Sequence, residues 1–188
     1  MVKPNDRFSK RLDAEYVVKR TSNSNDAEIT RSGQLVARIE KSKKDGLRFQ
    51  LKVTDGSIVY ELDPRIDGMI SPFSLTIYED GKEPLLKIKS GCFSYEEKIY
   101  LFKSVPEGKS MSSHLEGGKY ICRLENFPFH SIDEIDRETW EKLSRHRGVD
   151  VGRLSGFGRL AHKVILDEGL AGIGLVLSAA SYLLYSTG

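Results

Sequence analysis

Short runs in which apolar and polar residues alternate fill most of the chain between Tyr16 and Leu124. The alternation is clearest from Leu47 to Val53, where every second side chain is apolar, as a strand with one buried face requires. Such runs, separated by turn residues, predict antiparallel strands with one solvated side. The predicted strands are Tyr16–Thr21, Glu28–Arg31, Leu35–Glu40, Leu47–Val53, Ile58–Leu62, Phe73–Tyr78, Leu85–Lys89, Ile99–Lys103 and Tyr120–Leu124.

Three of these hairpins share one design. Gly33, Gly56 and Gly81 each follow Ser or Asp and stand between an outgoing and a returning run. Glycine adopts the positive φ that tight hairpins need. Their near-constant spacing predicts a meander that curls into a sandwich or closes into a barrel.

The pattern changes after Leu124. Ser131 and Glu134 have capping-box spacing, and the apolar residues that follow recur near helical spacing, which predicts a surface helix over 132–145. The glycine-rich stretch 152–158 lacks the spacing of a phosphate-binding loop and is interpreted as a flexible joint.

The last twenty or so residues carry no charge from Gly169 onward. A helix that is apolar all round must be hidden from water. Its small residues suit close packing inside a barrel or between membrane helices, and its length just spans a hydrocarbon core of ~30 Å. Two interpretations stay open, a helix in the centre of a barrel and a tail anchor.

The chain length suits one domain, because domains cluster near ~100 to 150 residues. The pattern divides it into a flexible lead-in over 1–15, barrel strands over 16–125, a helical and glycine-rich insert over 126–163, and an apolar helix over 164–188. The expected fold class is therefore mainly β, an antiparallel meander closed around a C-terminal helix, with one short surface helix.

Composition agrees with a folded protein, since 39% of the residues are hydrophobic and 30% are charged. Cys92 and Cys122 are too few for a disulfide framework and are expected to be free thiols in a reducing compartment. The first residues are basic but lack the apolar stretch of a secretory signal. We expect a cytoplasmic protein, membrane-associated if its surface or its helix contacts lipid.

The sequence contains no motif typical of a catalytic or metal-binding site. The four histidines have no metal-ligand spacing, and Glu96 and Glu97 are consecutive on a β-like run, so they point to opposite faces. No serine or cysteine has the setting of a nucleophile. The sequence predicts a protein that is not an enzyme, with no metal and no cofactor.

Repeated units of the form apolar-x-[Asp/Ser]-Gly-x-x-apolar-x-x-Ile occur at Ile29–Ile39 and Ile77–Ile88. An aromatic-bearing strand from Phe93 to Leu101 and the terminal apolar helix follow them. This arrangement resembles the tubby C-terminal-like group, which includes the plant LURP-one-related proteins and the phospholipid scramblases. The resemblance covers roughly 16–124 and 165–185. It implies a closed twelve-stranded barrel around a central hydrophobic helix, and tubby itself binds phosphoinositide head groups.

One basic cluster stands out between two predicted strands. Its members are Arg38, Lys41, Lys43, Lys44 and Arg48. Such a cluster is typical of a solvated loop, and it also suits contact with anionic lipid head groups, to which each near-surface Lys or Arg contributes about 1 kcal/mol. Nucleic acid is not expected as a partner, because no aromatic residues interleave with these lysines.

These observations favour a non-enzymatic tubby-like domain that binds anionic lipid or a protein partner at a membrane surface. A second interpretation is a tail-anchored protein whose basic segment 142–163 stays on the cytosolic side. A third is a structural or regulatory module without a ligand.

Overall fold

The computed structural model describes most of the chain. The described ranges are 12–21, 26–44, 47–65, 74–79, 83–104, 119–125, 132–146, 148–156 and 161–186. The predicted loop glycine Gly81, the helix-capping Ser131 and the start of the predicted strand at Phe73 lie outside them.

Twelve strands close into one barrel, and each is antiparallel to both neighbours. Val18 of the first strand faces His162 of the last, which joins the two edges of the sheet and leaves no open edge. The strands are β1 (Leu12–Arg20), β2 (Ala27–Arg31), β3 (Gln34–Lys41), β4 (Phe49–Val53), β5 (Val59–Arg65), β6 (Ser74–Glu79), β7 (Pro84–Lys89), β8 (Cys92–Tyr95), β9 (Lys98–Ser104), β10 (Lys119–Leu124), β11 (Val149–Ser155) and β12 (Ala161–Asp167).

An apolar helix fills the barrel. A 3-10 turn (Glu168–Ile173) leads from β12 into helix α2 (Gly174–Ser186). Val176, Leu177 and Leu183 are almost completely buried and belong to one core with inward side chains from all twelve strands. The expected fold class, a β-barrel around an apolar C-terminal helix, is confirmed.

Alternation predicted the strand faces well. Phe49 and Leu51 of β4 are buried and Val53 is half-buried, as a strand with one inward face requires. Leu47, however, precedes β4 instead of belonging to it, and 77% of its surface is exposed. The predicted strand therefore began two residues too early.

The surface helix is shorter than predicted. A 3-10 turn (Ile132–Glu134) precedes helix α1 (Arg137–Arg145). The N-cap is Asp136, whose side chain accepts a 2.7 Å hydrogen bond from the backbone N–H of Thr139. The helix therefore begins five residues later than predicted, because the chain first makes a separate 3-10 turn.

Helix α1 and its 3-10 turn cover the outer face of β8 to β10. Ile132, Ile135 and Leu143 pack there against Cys92 and Cys122 in a second apolar cluster. The Trp140 indole N–H donates to the carbonyl of Ser90, 3.2 Å away. These strands are consequently buried on both faces, which is why the alternation fades along them.

Two barrel strands lie where the sequence suggested a helical, glycine-rich insert. Within 126–163, β11 and the first three residues of β12 belong to the barrel. Gly152 is a strand residue and not a joint, since a Cβ there would lie 3.1 Å from Leu166 Cδ2 and 3.2 Å from Ile121 Cβ. Close packing between strands explains this glycine.

Further boundaries also differ from the prediction. β1 begins at Leu12, within the expected lead-in 1–15, and β12 extends into the range expected to be helix. β8 is only four residues long, Cys92–Tyr95, too short for the period-2 pattern to reveal it.

Candidate functional site

The direction of α2 distinguishes the two mouths of the barrel. Gly174 at its start lies against the Tyr16 ring, within β1. Tyr185 at its end lies 5.9 Å, ring centre to ring centre, from Phe102 near the end of β9. Since neighbouring strands are antiparallel, the turns after β1, β3 and β7 share the mouth at which α2 ends, and those after β2, β4 and β8 share the opposite mouth.

The mouth at which α2 ends is basic. For each mouth we count the turn residues and the two residues of each strand nearest that mouth, where the structure describes their side chains. The segment 132–146, which carries α1 across the outer wall, is left out. The basic members are Lys19, Arg20, Lys41, Lys43, Lys44, Arg48, Arg65, Lys89, Lys103 and Lys119, and the acidic members are Asp26, Glu28 and Glu40. We call this end the basic mouth.

The opposite mouth, counted in the same way, has the reverse sign. Its acidic members are Asp55, Glu79, Glu83, Glu96, Glu97, Glu125, Asp150, Asp167 and Glu168, and its basic members are Arg31, Lys52, Lys98 and Arg123. We call this end the acidic mouth. The barrel therefore has a charge asymmetry along its axis, although its net charge is only +2.

The β3–β4 turn projects three lysines at the basic mouth. Lys41 is the last residue of β3, and Lys43 and Lys44 follow in the turn; all three side chains are exposed. Among the described residues, none of the three forms an ion pair. They are available for an external anion.

Neighbouring backbone and side chains hold this turn in place. The carboxylate of Asp26, in the β1–β2 connection, accepts a 3.1 Å hydrogen bond from the backbone N–H of Lys41. The backbone N–H of Ser42 donates to the carbonyl of Arg48 at 2.8 Å, which closes the neck of the hairpin. The lysine backbone is thus positioned by bonds that leave the ammonium groups outside.

The other two predicted site residues are engaged by acids. Arg38 lies on the barrel wall, 3.5 Å from Glu28. Arg48 lies 3.6 Å from Glu61 and 3.5 Å from Asp63, whose own side chain is 7% exposed. The structure therefore brings Lys41, Lys43, Lys44 and Arg48 together at one turn and separates Arg38 from them.

Sequence reasoning missed the contributions of other strands to this mouth. Lys119 of β10 places its ammonium 4.3 Å from the Tyr185 ring centre, next to the end of α2. A helix C-terminus carries partial negative charge, so a cation is favoured there. Burial lowers the pKa of Lys119. Numbering the strands correctly, and then comparing the charges of alternate turns, would have revealed the asymmetry.

The buried cysteines offer no reactive site. Cys92 and Cys122 are both free thiols packed under α1, and burial raises the pKa of Cys92 to about 12. A thiol that stays protonated is a poor nucleophile. Within the described part of the chain, no group of three or more His, Cys, Asp and Glu side chains could hold a metal ion.

No protein-family model, no curated protein and no solved structure matches this chain. By length and composition alone, Glu168–Tyr185 could cross a membrane. In the fold, most of this segment is buried inside the barrel.

Proposed function

We propose that this protein is a non-enzymatic, tubby-like barrel of the cytoplasm that binds anionic membrane lipid through its basic mouth. The observation that carries the proposal is the turn bearing Lys41, Lys43 and Lys44, exposed and without acidic partners among the described residues. Arg48 stands at its neck, where Glu61 and Asp63 balance its charge, so the lysines provide the positive surface.

Electrostatics supports binding at this end of the barrel. Each lysine near an anionic surface contributes about 1 kcal/mol, so three give roughly a hundredfold or greater increase in binding. The acidic mouth is repelled by the same surface. Opposite charge at the two ends orients the barrel before contact, with the basic mouth toward the lipid.

The architecture is of the kind that the tubby resemblance implies, a closed barrel around a C-terminal helix. That agreement supports the tubby-like assignment, and the loose hairpin motifs at Ile29–Ile39 and Ile77–Ile88 support it further. Phosphoinositide binding by tubby itself makes anionic lipid the first ligand class to test.

The tail-anchor interpretation requires α2 to leave the barrel. Leu177 and Leu183 would then leave a core in which they are almost completely buried, and the inward faces of the strands would lose their partner. Surface binding needs no such opening, and we favour it for that reason.

The test is flotation of the full chain with vesicles of phosphatidylcholine alone or with phosphatidylserine or a phosphoinositide. Changing Lys41, Lys43 and Lys44 together to Glu should abolish binding to the anionic vesicles. The melting temperature should change little, because exposed charges contribute little to folding.

A matched control changes Lys52, Lys98 and Lys163 to Glu. These exposed lysines lie on the wall or at the acidic mouth, and the net charge changes by the same amount. This control should retain most of the binding. Equal loss in both variants, or wild-type binding that is insensitive to salt, would contradict a site at the β3–β4 turn; no binding by the wild type would favour the module without a ligand.

A further inference from the structure

Leu47 is the most exposed large apolar side chain that the structure describes. Its exposed fraction is 77%, against 38% for Leu85 and 40% for Val149. A leucine at this exposure gains little from folding, because most of its surface stays in water. Single exposed leucines are common on proteins, so the position of this one decides its meaning.

Leu47 lies in the β3–β4 turn, the basic turn that also carries Lys43 and Lys44. The Ser42–Arg48 backbone hydrogen bond, 2.8 Å long, closes the neck of the hairpin. Lys43, Lys44 and Leu47 are all beyond that bond and all exposed. The described part of the turn therefore exposes two cations and one apolar side chain within five residues of chain.

That combination suits the surface of an anionic bilayer. A soluble anion, or an acidic patch on a protein, would be satisfied by the lysines and would leave the leucine in water. A bilayer offers phosphates at its surface and hydrocarbon a few ångströms below, where interfacial proteins bury apolar side chains about 5 to 10 Å deep.

We propose that Leu47 enters the acyl boundary of an anionic bilayer while Lys43 and Lys44 contact the head groups. The inference rests on the proposed lipid binding and adds insertion to it. It makes the ligand an intact bilayer rather than a free phosphorylated head group.

The opposite end of the barrel provides an internal control. Leu85, the second residue of β7, is exposed but lies at the acidic mouth, with Glu83 two residues before it. An anionic bilayer repels that mouth. Insertion through the basic turn therefore predicts that Leu47 and Leu85 respond differently to the same vesicles.

The depth measurement uses Leu47→Trp and Leu85→Trp in the full chain, each read as a difference from the wild-type spectrum, which contains Trp140. Vesicles contain phosphatidylserine together with phosphatidylcholine brominated on its acyl chains. We expect a blue shift and quenching for the Leu47→Trp signal and neither for Leu85→Trp. Quenching of both, or of neither while the protein floats with the vesicles, would overturn insertion.

The affinity measurement uses Leu47→Ala and Leu47→Asp. Full burial of a leucine corresponds to roughly a tenfold to hundredfold change in partitioning, so we expect about a tenfold loss of vesicle binding for Ala and more for Asp. Affinity for soluble glycerophosphoserine or inositol phosphate should be the same as in the wild type. Unchanged vesicle affinity in both variants would overturn insertion.

Insertion and lipid binding can fail separately. If the variant with Lys41, Lys43 and Lys44 changed to Glu loses vesicle binding while the Leu47 variants keep it, only insertion is overturned. If the wild type binds no anionic vesicle, the proposed function and the inference are both overturned.

Discussion

The two mouths of the barrel are made from the same kind of antiparallel hairpin, yet they differ in charge and in how they hold the helix. At the acidic mouth, α2 begins against the Tyr16 ring, with no space for a side chain on Gly174. At the basic mouth, α2 ends at Tyr185, which is only partly enclosed and lies beside the Lys119 ammonium. The helix is closely packed against the barrel wall at the acidic mouth, whereas at the basic mouth it ends beside a charged rim.

This difference separates what the fold requires from what a ligand would require. Exposed charges contribute little to stability, so folding alone gives no reason for one sign to collect at each end. The charges in the turns beyond the strand ends do not affect the packing of the core. The proposed contact with an anionic surface would account for the asymmetry.

Removing α2 is the most severe test of which parts of the molecule the fold requires. Truncation after Asp167 deletes α2 and empties the barrel, losing several buried side chains worth roughly 1.5 to 3 kcal/mol each. The summed loss is as large as the ~5 to 15 kcal/mol by which domains are stable. We expect an unfolded chain by circular dichroism and denaturant titration.

A point substitution controls for the size of the deletion. Leu177 is completely buried, so Leu177→Arg places an unpaired charge in a dry core and should destabilise severely. The same change at exposed Leu47 should leave the melting temperature nearly unaltered. A truncated protein that melts cooperatively would instead support a helix that acts as a tail anchor.

The acidic mouth should be sensitive to a single methyl group. In Gly174→Ala the new Cβ would lie 2.7 Å from Tyr16 Cε2 and 2.9 Å from its hydroxyl. Overpacking of this kind costs about 1 to 3 kcal/mol, or roughly 2 to 4 °C in melting temperature for each kcal/mol. Thermal unfolding of the two proteins measures it.

Gly169→Ala is the matched control, because no heavy atom lies within 4 Å of a Cβ at that position. Its melting temperature should stay near that of the wild type. Equal effects at Gly169 and Gly174 would mean that α2 is not closely packed against Tyr16 at the acidic mouth.

The strands that the sequence predicts best are those with one buried face and one solvent-exposed face. β3, β4 and β7 alternate clearly because only one of their faces is buried. Alternation did not identify β8, which is only four residues long. β9 alternates weakly, because α1 and its 3-10 turn cover its outer side. β11 was missed because Gly152 was interpreted as part of a flexible joint. The glycine instead allows close packing against Ile121 and Leu166, a tertiary contact that local sequence cannot show.

The candidate site was predictable only as far as it is local. Lys41, Lys43 and Lys44 are close in sequence and were found as a cluster. Arg38 was included for the same reason. It lies three residues before Lys41 on β3, where its side chain is on the barrel wall and pairs with Glu28. Lys119 comes from a distant strand, and its place at the same mouth depends on barrel closure.

The smallest expected effect concerns a histidine inside the basic mouth. His162, the second residue of β12, is 3% exposed, and its ring centre lies 5.9 Å from that of Tyr182 on α2. Burial lowers the pKa of His162 below its ordinary value of 6.5, and a hydrogen bond with the carbonyl of Gly156 opposes this only in part. The neutral ring is therefore the form that fits the barrel.

The sign of the pH dependence follows from that direction. The unfolded chain binds a proton near pH 6.5, whereas the folded barrel does so only at lower pH. The contribution of His162 to the free energy of unfolding is thus complete above about pH 6.5 and is lost as the pH falls toward the folded pKa. Denaturant titrations at about pH 7.5, 6.5 and 5.5 should show this loss in the wild type. His162→Phe keeps a ring without the titrating group, so its stability should fall less over the same interval, and parallel curves for the two proteins would show that protonation of His162 is not resisted by the barrel.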